Sequence, residues 1–289
     1  MPVTLNTLIP LLQARLNDAS DGQWSLEDKK RFLNSARKRT VAAARCYATT
    51  VSKPVVVGTA TYEVDPLFEP LAVRFGDVLL EKVKLASMPI ITQNWDAYPA
   101  GSPAQWTPLY GSTVRVHPAP DAGAASMIGA VAAAPGDGGS GYAVGDLLTV
   151  VESGASGGEV EVAAVAAGVV TALRLRQNAD GTFARGSGYT TGPDKATTGG
   201  SGSGCTVWIT ALAALEVYGY AGVDNLATDE TPIVELPPKQ AEEALLLAAE
   251  EEARRARPSM AGSLELAALL HNLWLEQVRD IRTAVGWAP

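Results

Sequence analysis

The sequence predicts an α+β chain: helices from the N- and C-terminal regions packed as a bundle with a β region between them, plus an inserted small all-β domain. Three observations predict it. Apolar residues recur at helical spacing near both ends, short strand-like runs broken by glycine and proline fill the middle, and residues 122–213 hold 19 of the 28 glycines. The expected domains are residues 1–121, the first part of the main domain (two helices, then strands); 122–213, the Gly-rich insert; and 214–289, the second part (a strand, then two helices).

Leu5, Leu8, Leu12 and Leu16 line one face of the first helix. With Thr7 as its N-cap, Pro10 falls in the first turn, where the missing N–H costs little. Asp21-Gly22 makes a turn, and Ser25, with Asp28 three positions on, caps a second helix reaching to Ala48. That helix carries Lys29, Lys30, Arg31, Arg37, Lys38, Arg39 and Arg45 against Glu27 and Asp28. Its apolar stripe, Leu33, Ala36, Thr40, Ala44 and Tyr47, faces a core and leaves the basic residues outside. Those residues form either a solvated face whose acidic start and basic end suit the helix dipole, or a contact with an acidic neighbour or with DNA. Arg37, Lys38 and Arg39 are the candidates for that contact.

From residue 51 to 121 the pattern changes to VVVGTATYEV, the stretch around LAVRFGDVLLEKV, and TVRVHPAP, with no room for a helix of useful length. Trp95, Tyr98, Trp106 and Tyr110 fall in the Pro/Gly-rich connection, as loop anchors and core plugs or as a stacking platform. In the Gly-rich stretch, GSGYAVGD at 139–146 is echoed by GSGYTTGP at 186–193. Alternation in Val160-Glu161-Val162 and Leu173-Arg174-Leu175-Arg176 predicts strands with one solvated face. LEVYGYAG then resumes the strand pattern. Pro237-Pro238 opens a helix with Glu242 and Glu243 in its first turns and Arg254, Arg255 and Arg257 in its last, stopped by Pro258. A final helix over residues 264–284 places Leu266, Leu270, Leu273, Trp274 and Ile281 on one side.

Hydrophobic residues make up 47% and charged residues 19%, and no apolar run is long enough to cross a bilayer, so no membrane partner is expected. The first residues lack a basic region followed by an uninterrupted apolar core, which predicts synthesis in a cytoplasm. A net charge of -8 and a pI near 4.9 argue against a protein that grips phosphates, although a surface past which DNA slides can be acidic. Cys46 and Cys205, the only cysteines, lie in segments of different character, so neither a disulfide framework nor a thiolate metal site is expected.

His117 stands at a strand end before proline and His271 in mid-helix, and neither sits in a recognisable catalytic pattern. There is no GxxxxGK[ST], HExxH or CxxC. Gly136, Gly138 and Gly141 match GxGxxG formally but precede a strand rather than a helix N-terminus. NADG at 178–181 lacks the remaining ligands of a calcium loop, and carboxylate pairs such as Glu159/Glu161 are common on surfaces. The expectation is a protein with no catalytic residues, cofactor or metal, and not an enzyme.

Several stretches occur in a telling order: LNTLIPLLQARLND, WSLEDKKRFLNSARKR, GTATYEVD, QNWDAYPAGSPAQW, VRVHPAPDAG, then LEVYGYAG followed by ELPPKQAEEALLLAAEEEA. Over residues 4–121 and 214–257 this order resembles the head-to-tail adaptor, or head-completion, proteins of tailed bacteriophages. The chain departs from the pattern where VHPAPD would pass quickly into the next strand. The Gly-Ser-Gly-Tyr repeats there are similar in composition to β modules of other phage structural proteins.

The resemblance implies a structural virion protein made in the host cytoplasm and placed in the neck. It implies an oligomeric ring, commonly a dodecamer, docked under the portal protein, lining the DNA conduit with transient non-specific contact to passing DNA. Tail tube, nozzle or fibre proteins would join below. Such a ring needs heterologous contacts that close by rotation, so the isolated subunit can stay monomeric until it meets the portal. Trp274 and the tail residue Trp287 are candidate interface anchors, and Trp274 is equally suited to the subunit's own core. Two other readings are a baseplate or fibre-attachment protein of a phage tail, and a glycan-binding module on a helical carrier.

Overall fold

The computed structural model describes residues 2–18, 22–84, 99–257 and 263–285. Among the described residues the protein is α+β, 28% helical and 39% strand. It opens with α1 (Leu5–Arg15) and α2 (Leu26–Ala44), followed by β1 (Ala48–Pro54), β2 (Thr61–Glu63), β3 (Leu67–Phe75), β4 (Val78–Leu79) and β5 (Glu81–Lys82). Next come β6 (Gln105–Pro108), β7 (Thr113–His117), the short α3 (Ala122–Ala125), β8 (Ile128–Ser140), β9 (Leu147–Val151), β10 (Ser156–Ala166) and β11 (Val169–Leu175). The chain finishes with β12 (Arg185–Ser187), β13 (Gly192–Gly199), β14 (Ser203–Leu212), β15 (Ala214–Ala221), α4 (Pro238–Ala256) and α5 (Ser263–Ala284). Two compact units result: residues 1–49, 66–68 and 220–289, and residues 50–65 and 69–219.

In the first unit, α1 begins earlier than expected. Thr4 is the N-cap: its Oγ1 accepts from the Thr7 N–H at 3.3 Å, and the Thr7 Oγ1 accepts from the Thr4 N–H at 3.0 Å. This reciprocal box satisfies two otherwise orphaned donors, and it leaves Pro10 inside the helix rather than in its first turn. Ser25 caps α2 as the sequence predicts, its Oγ accepting from the Asp28 N–H at 3.1 Å. The helix stops at Ala44, short of Ala48, because Arg45 takes a left-handed conformation (φ 52°, ψ 43°).

The expectation that all of α2's cations lie outside is corrected at two positions. Lys29 is fully buried, its Nζ 3.0 Å from Asp18 Oδ2, and Arg37 is buried in an ion pair with Glu235 while also donating to the Asp224 carbonyl at 2.6 Å. A cation can be buried here because a carboxylate is buried with it. One core joins Leu8 and Leu12 of α1, Phe32, Leu33 and Val41 of α2, Ala241, Leu245 and Ala248 of α4, and Leu270, Trp274, Val278 and Ile281 of α5. The alanines of α4 let neighbouring helices approach closely. Leu273 is exposed, contrary to the sequence reading: one residue before Trp274, it is turned about 100° away from the buried stripe.

The second unit contains three sheets. Over its residues, β1, β15, β3 and β4 lie in that order, and a second sheet runs β2-β7-β6-β5. There Tyr62 pairs with Val114, and Trp106 pairs with Val116 and is buried, so this tryptophan plugs a core. Tyr110 is almost fully exposed, and Trp95 and Tyr98 lie outside the described residues. Val55–Val57, read as part of a strand, lie between β1 and β2.

The third sheet follows β11-β10-β9-β13-β14-β8, with β12 added on β10. All seven strands come from the Gly-rich stretch. Val160 and Val162 point into its core while Glu161 pairs outside with Arg174, the alternation seen in the sequence. The GSGY echo is a structural repeat. Gly139 and Gly186 share a left-handed conformation (φ +61° and +58°), and a buried tyrosine, Tyr142 or Tyr189, follows each. Ser140 pairs with Ser203 and Ser187 with Ser156, so β8 flanks β14 just as β12 flanks β10, around a central β9–β13 pair.

Candidate interaction surface

The first unit carries an open groove of about 530 Å³ along α2, lined by residues that include Leu5, Arg31, Asn34, Lys38, Leu226 and Asp229. Helical spacing puts Glu27, Arg31, Asn34 and Lys38 on one outward stripe. Asn34 holds the opposite wall: its Oδ1 accepts from the Leu226 N–H at 3.0 Å. Lys30 is tied to that wall as well, 2.7 Å from Asp229, and this ion pair raises its pKa against the opposing effect of burial. Arg31 pairs with Asp28 at 3.0 Å yet its side chain remains 65% exposed. Lys38 is exposed and makes no ion pair among the described residues. The groove thus offers a mixed charged rim over a partly apolar floor, with Lys38 its cation that makes no ion pair among the described residues.

The sequence-named interface residues separate accordingly. Arg37 is occupied inside the unit by Glu235. Arg39 reaches Glu251 at 2.5 Å and lies over the Trp274 ring, 4.3 Å from its centroid. Trp274 is buried and donates from Nε1 to Thr40 Oγ1 at 3.0 Å. Lys38 alone of the four described candidates stands free on the surface, and Trp287 lies outside the described residues. Arg31 was missed as a candidate, although its spacing of seven from Lys38 is legible in the sequence.

Burial pushes the Cys46 thiol up to about 11 and also raises Cys205, which keeps both protonated near neutrality. Burial, with Arg115 nearby, lowers the pKa of His117. His271 Nδ1 lies 3.2 Å from Glu251, beside the Arg39–Trp274 stack. Among the described residues no three His, Cys, Asp or Glu side chains converge to hold a metal ion, and no helix is long and apolar enough to cross a membrane.

Residues 3–139 match the model of the SU10 adaptor protein family, which points to a phage adaptor-type structural protein. No curated protein matches the chain.

Proposed function

We propose that this chain is a structural virion protein of a tailed phage that forms an oligomeric ring under the portal, joins head to tail and lines the DNA conduit. The observation that carries the reading is the match of residues 3–139 to the SU10 adaptor family, a span that runs from α1 through β7 and α3 into β8. The chain then works by shape, without a reactive centre. Its partners are further copies of itself, twelve in the commonest arrangement, the portal protein above, and tail tube, nozzle or fibre proteins below. Passing DNA makes only transient, non-specific contacts. Residues 122–213 form an inserted domain that projects outward, because a module added between two strands is tolerated where it meets solvent.

Negative-stain images of the purified chain mixed with its portal test this. The expected image is a portal carrying one additional ring on a single face. A chain that stays unassociated at concentrations well above those at which other portal partners bind overturns the reading.

A further inference from the structure

The final helix presents a stripe that the subunit does not use. Glu265, Leu269, Leu273, Glu276 and Asp280 follow one another at helical spacing on the outward face of α5, and all five are exposed. Leu269 is 55% and Leu273 40% exposed, while Leu270, Trp274 and Val278 on the opposite face are buried. Among the described residues none of the three carboxylates makes an ion pair. The α2 groove has a mixed lining: Glu27 and Asp229 stand at one part of it, with Lys30 neutralised by them, while Arg31 and Lys38 expose cations along α2 over a floor that includes Leu5 and Leu226.

We infer that the α5 stripe of one copy seats in the α2 groove of the next. The Glu276–Asp280 end of the stripe and the Arg31–Lys38 part of the groove differ in sign, so these two patches attract each other. A contact between unlike faces of identical chains is heterologous, and such a contact repeats around an axis until it closes into a ring. Leu269 and Leu273 lose water against the groove floor, and Glu276 and Asp280 meet the Arg31 and Lys38 rim. The inference rests on the ring reading above and names the faces that build the ring.

Charge reversal in the full chain tests it, with portal-bound rings counted by negative stain at low salt. Arg31→Glu with Lys38→Glu should lower ring yield by roughly tenfold or more, as should Glu276→Lys with Asp280→Lys, and all four together should restore it. Far-UV circular dichroism checks that each variant is folded. As a measurement independent of ring yield, Lys38→Cys chains mixed with Glu276→Cys chains should form an inter-chain disulfide on oxidation. Rings at wild-type yield from both reversed pairs overturn the face assignment and leave the ring reading standing. Loss without rescue in the fourfold variant, or loss confined to the α2 pair together with weaker DNA retention, also overturns it, the latter pointing to DNA as the occupant. A wild-type chain that forms no ring overturns both.

Discussion

Arg185 donates from Nε to Asp77 Oδ1 at 2.8 Å and from Nη1 to the carbonyls of Ile128 and Gly129 at 2.7 and 3.1 Å. The other Asp77 oxygen accepts from the Phe183 N–H at 2.8 Å. One guanidinium thereby fastens the turn between β3 and β4 to the start of β8 and to β12. Both side chains are nearly buried, so removing one partner leaves an uncompensated charge. Asp77→Ala should cost about 3–5 kcal/mol in urea unfolding. Arg174→Ala, which breaks the exposed pair with Glu161, should produce no measurable change.

Acid should loosen both units. In the first, the N–H of Gln23, with Lys29 and the N–H of Trp24, holds the Asp18 carboxyl down at about 2 against the opposing effect of burial. In the second, burial pushes Asp77 up, but Arg185 and the Phe183 N–H outweigh it and the net shift is downward. A carboxyl whose folded pKa is depressed contributes stability that is present above its unfolded pKa and is lost as pH falls through the folded one. Melting temperatures should therefore hold near neutrality and fall from below about pH 4 towards pH 2. Asp18→Asn should flatten the first unit's share of that slope, and an unchanged slope in this variant would contradict the assignment.

The paired glycines offer a check on the repeat. A Cβ at Gly139 would lie 2.3 Å from the Ser203 carbonyl oxygen, and one at Gly186 would lie 2.3 Å from Gly158 N and Ser156 O. The left-handed backbone adds about 1–2 kcal/mol at each. Gly139→Ala and Gly186→Ala should each destabilise the second unit by about 2 kcal/mol or more, measured calorimetrically. A large loss at one and none at the other would show that the two halves are not equivalent.

Trp274 separates folding from assembly. Trp274→Ala should cost about 3–5 kcal/mol in the isolated chain, because it empties core volume, removes the donor to Thr40 and takes away the ring beneath Arg39. An isolated chain of unchanged stability that has lost only ring formation would make Trp274 an interface anchor instead.

Residues 122–213 should be dispensable for assembly. Replacing them with a short linker is expected to leave rings on the portal while lowering the stability of β3 and β4, whose turn loses Arg185. Loss of rings would place the insert in the ring interface.

Elements governed by local chemistry were legible in the sequence. The Ser25–Asp28 box, the Pro238 start of α4 and the alternation through Val160–Val162 are decided by residues within a few positions of one another. Thr4 was missed because two threonines three apart both resemble an N-cap, and only burial of Leu5 and Leu8 chooses between them. Two of the buried cations were illegible for a different reason: Arg37 meets a carboxylate 198 residues away, and Arg185 meets Asp77 across 108 residues. Periodicity finds a helix face without revealing which distant charge will cover it. The groove was half legible, with Lys38 named and Arg31 overlooked, and its other wall comes from residues around Leu226.

Cryo-electron microscopy of the virion neck tests the central claim most directly. The account predicts a ring of density against the lower face of the portal into which α1, α2, α4 and α5 of this chain fit, repeated around the DNA channel. Density at that place belonging to other polypeptides, with this chain found at a baseplate or fibre or missing from the particle, would contradict it.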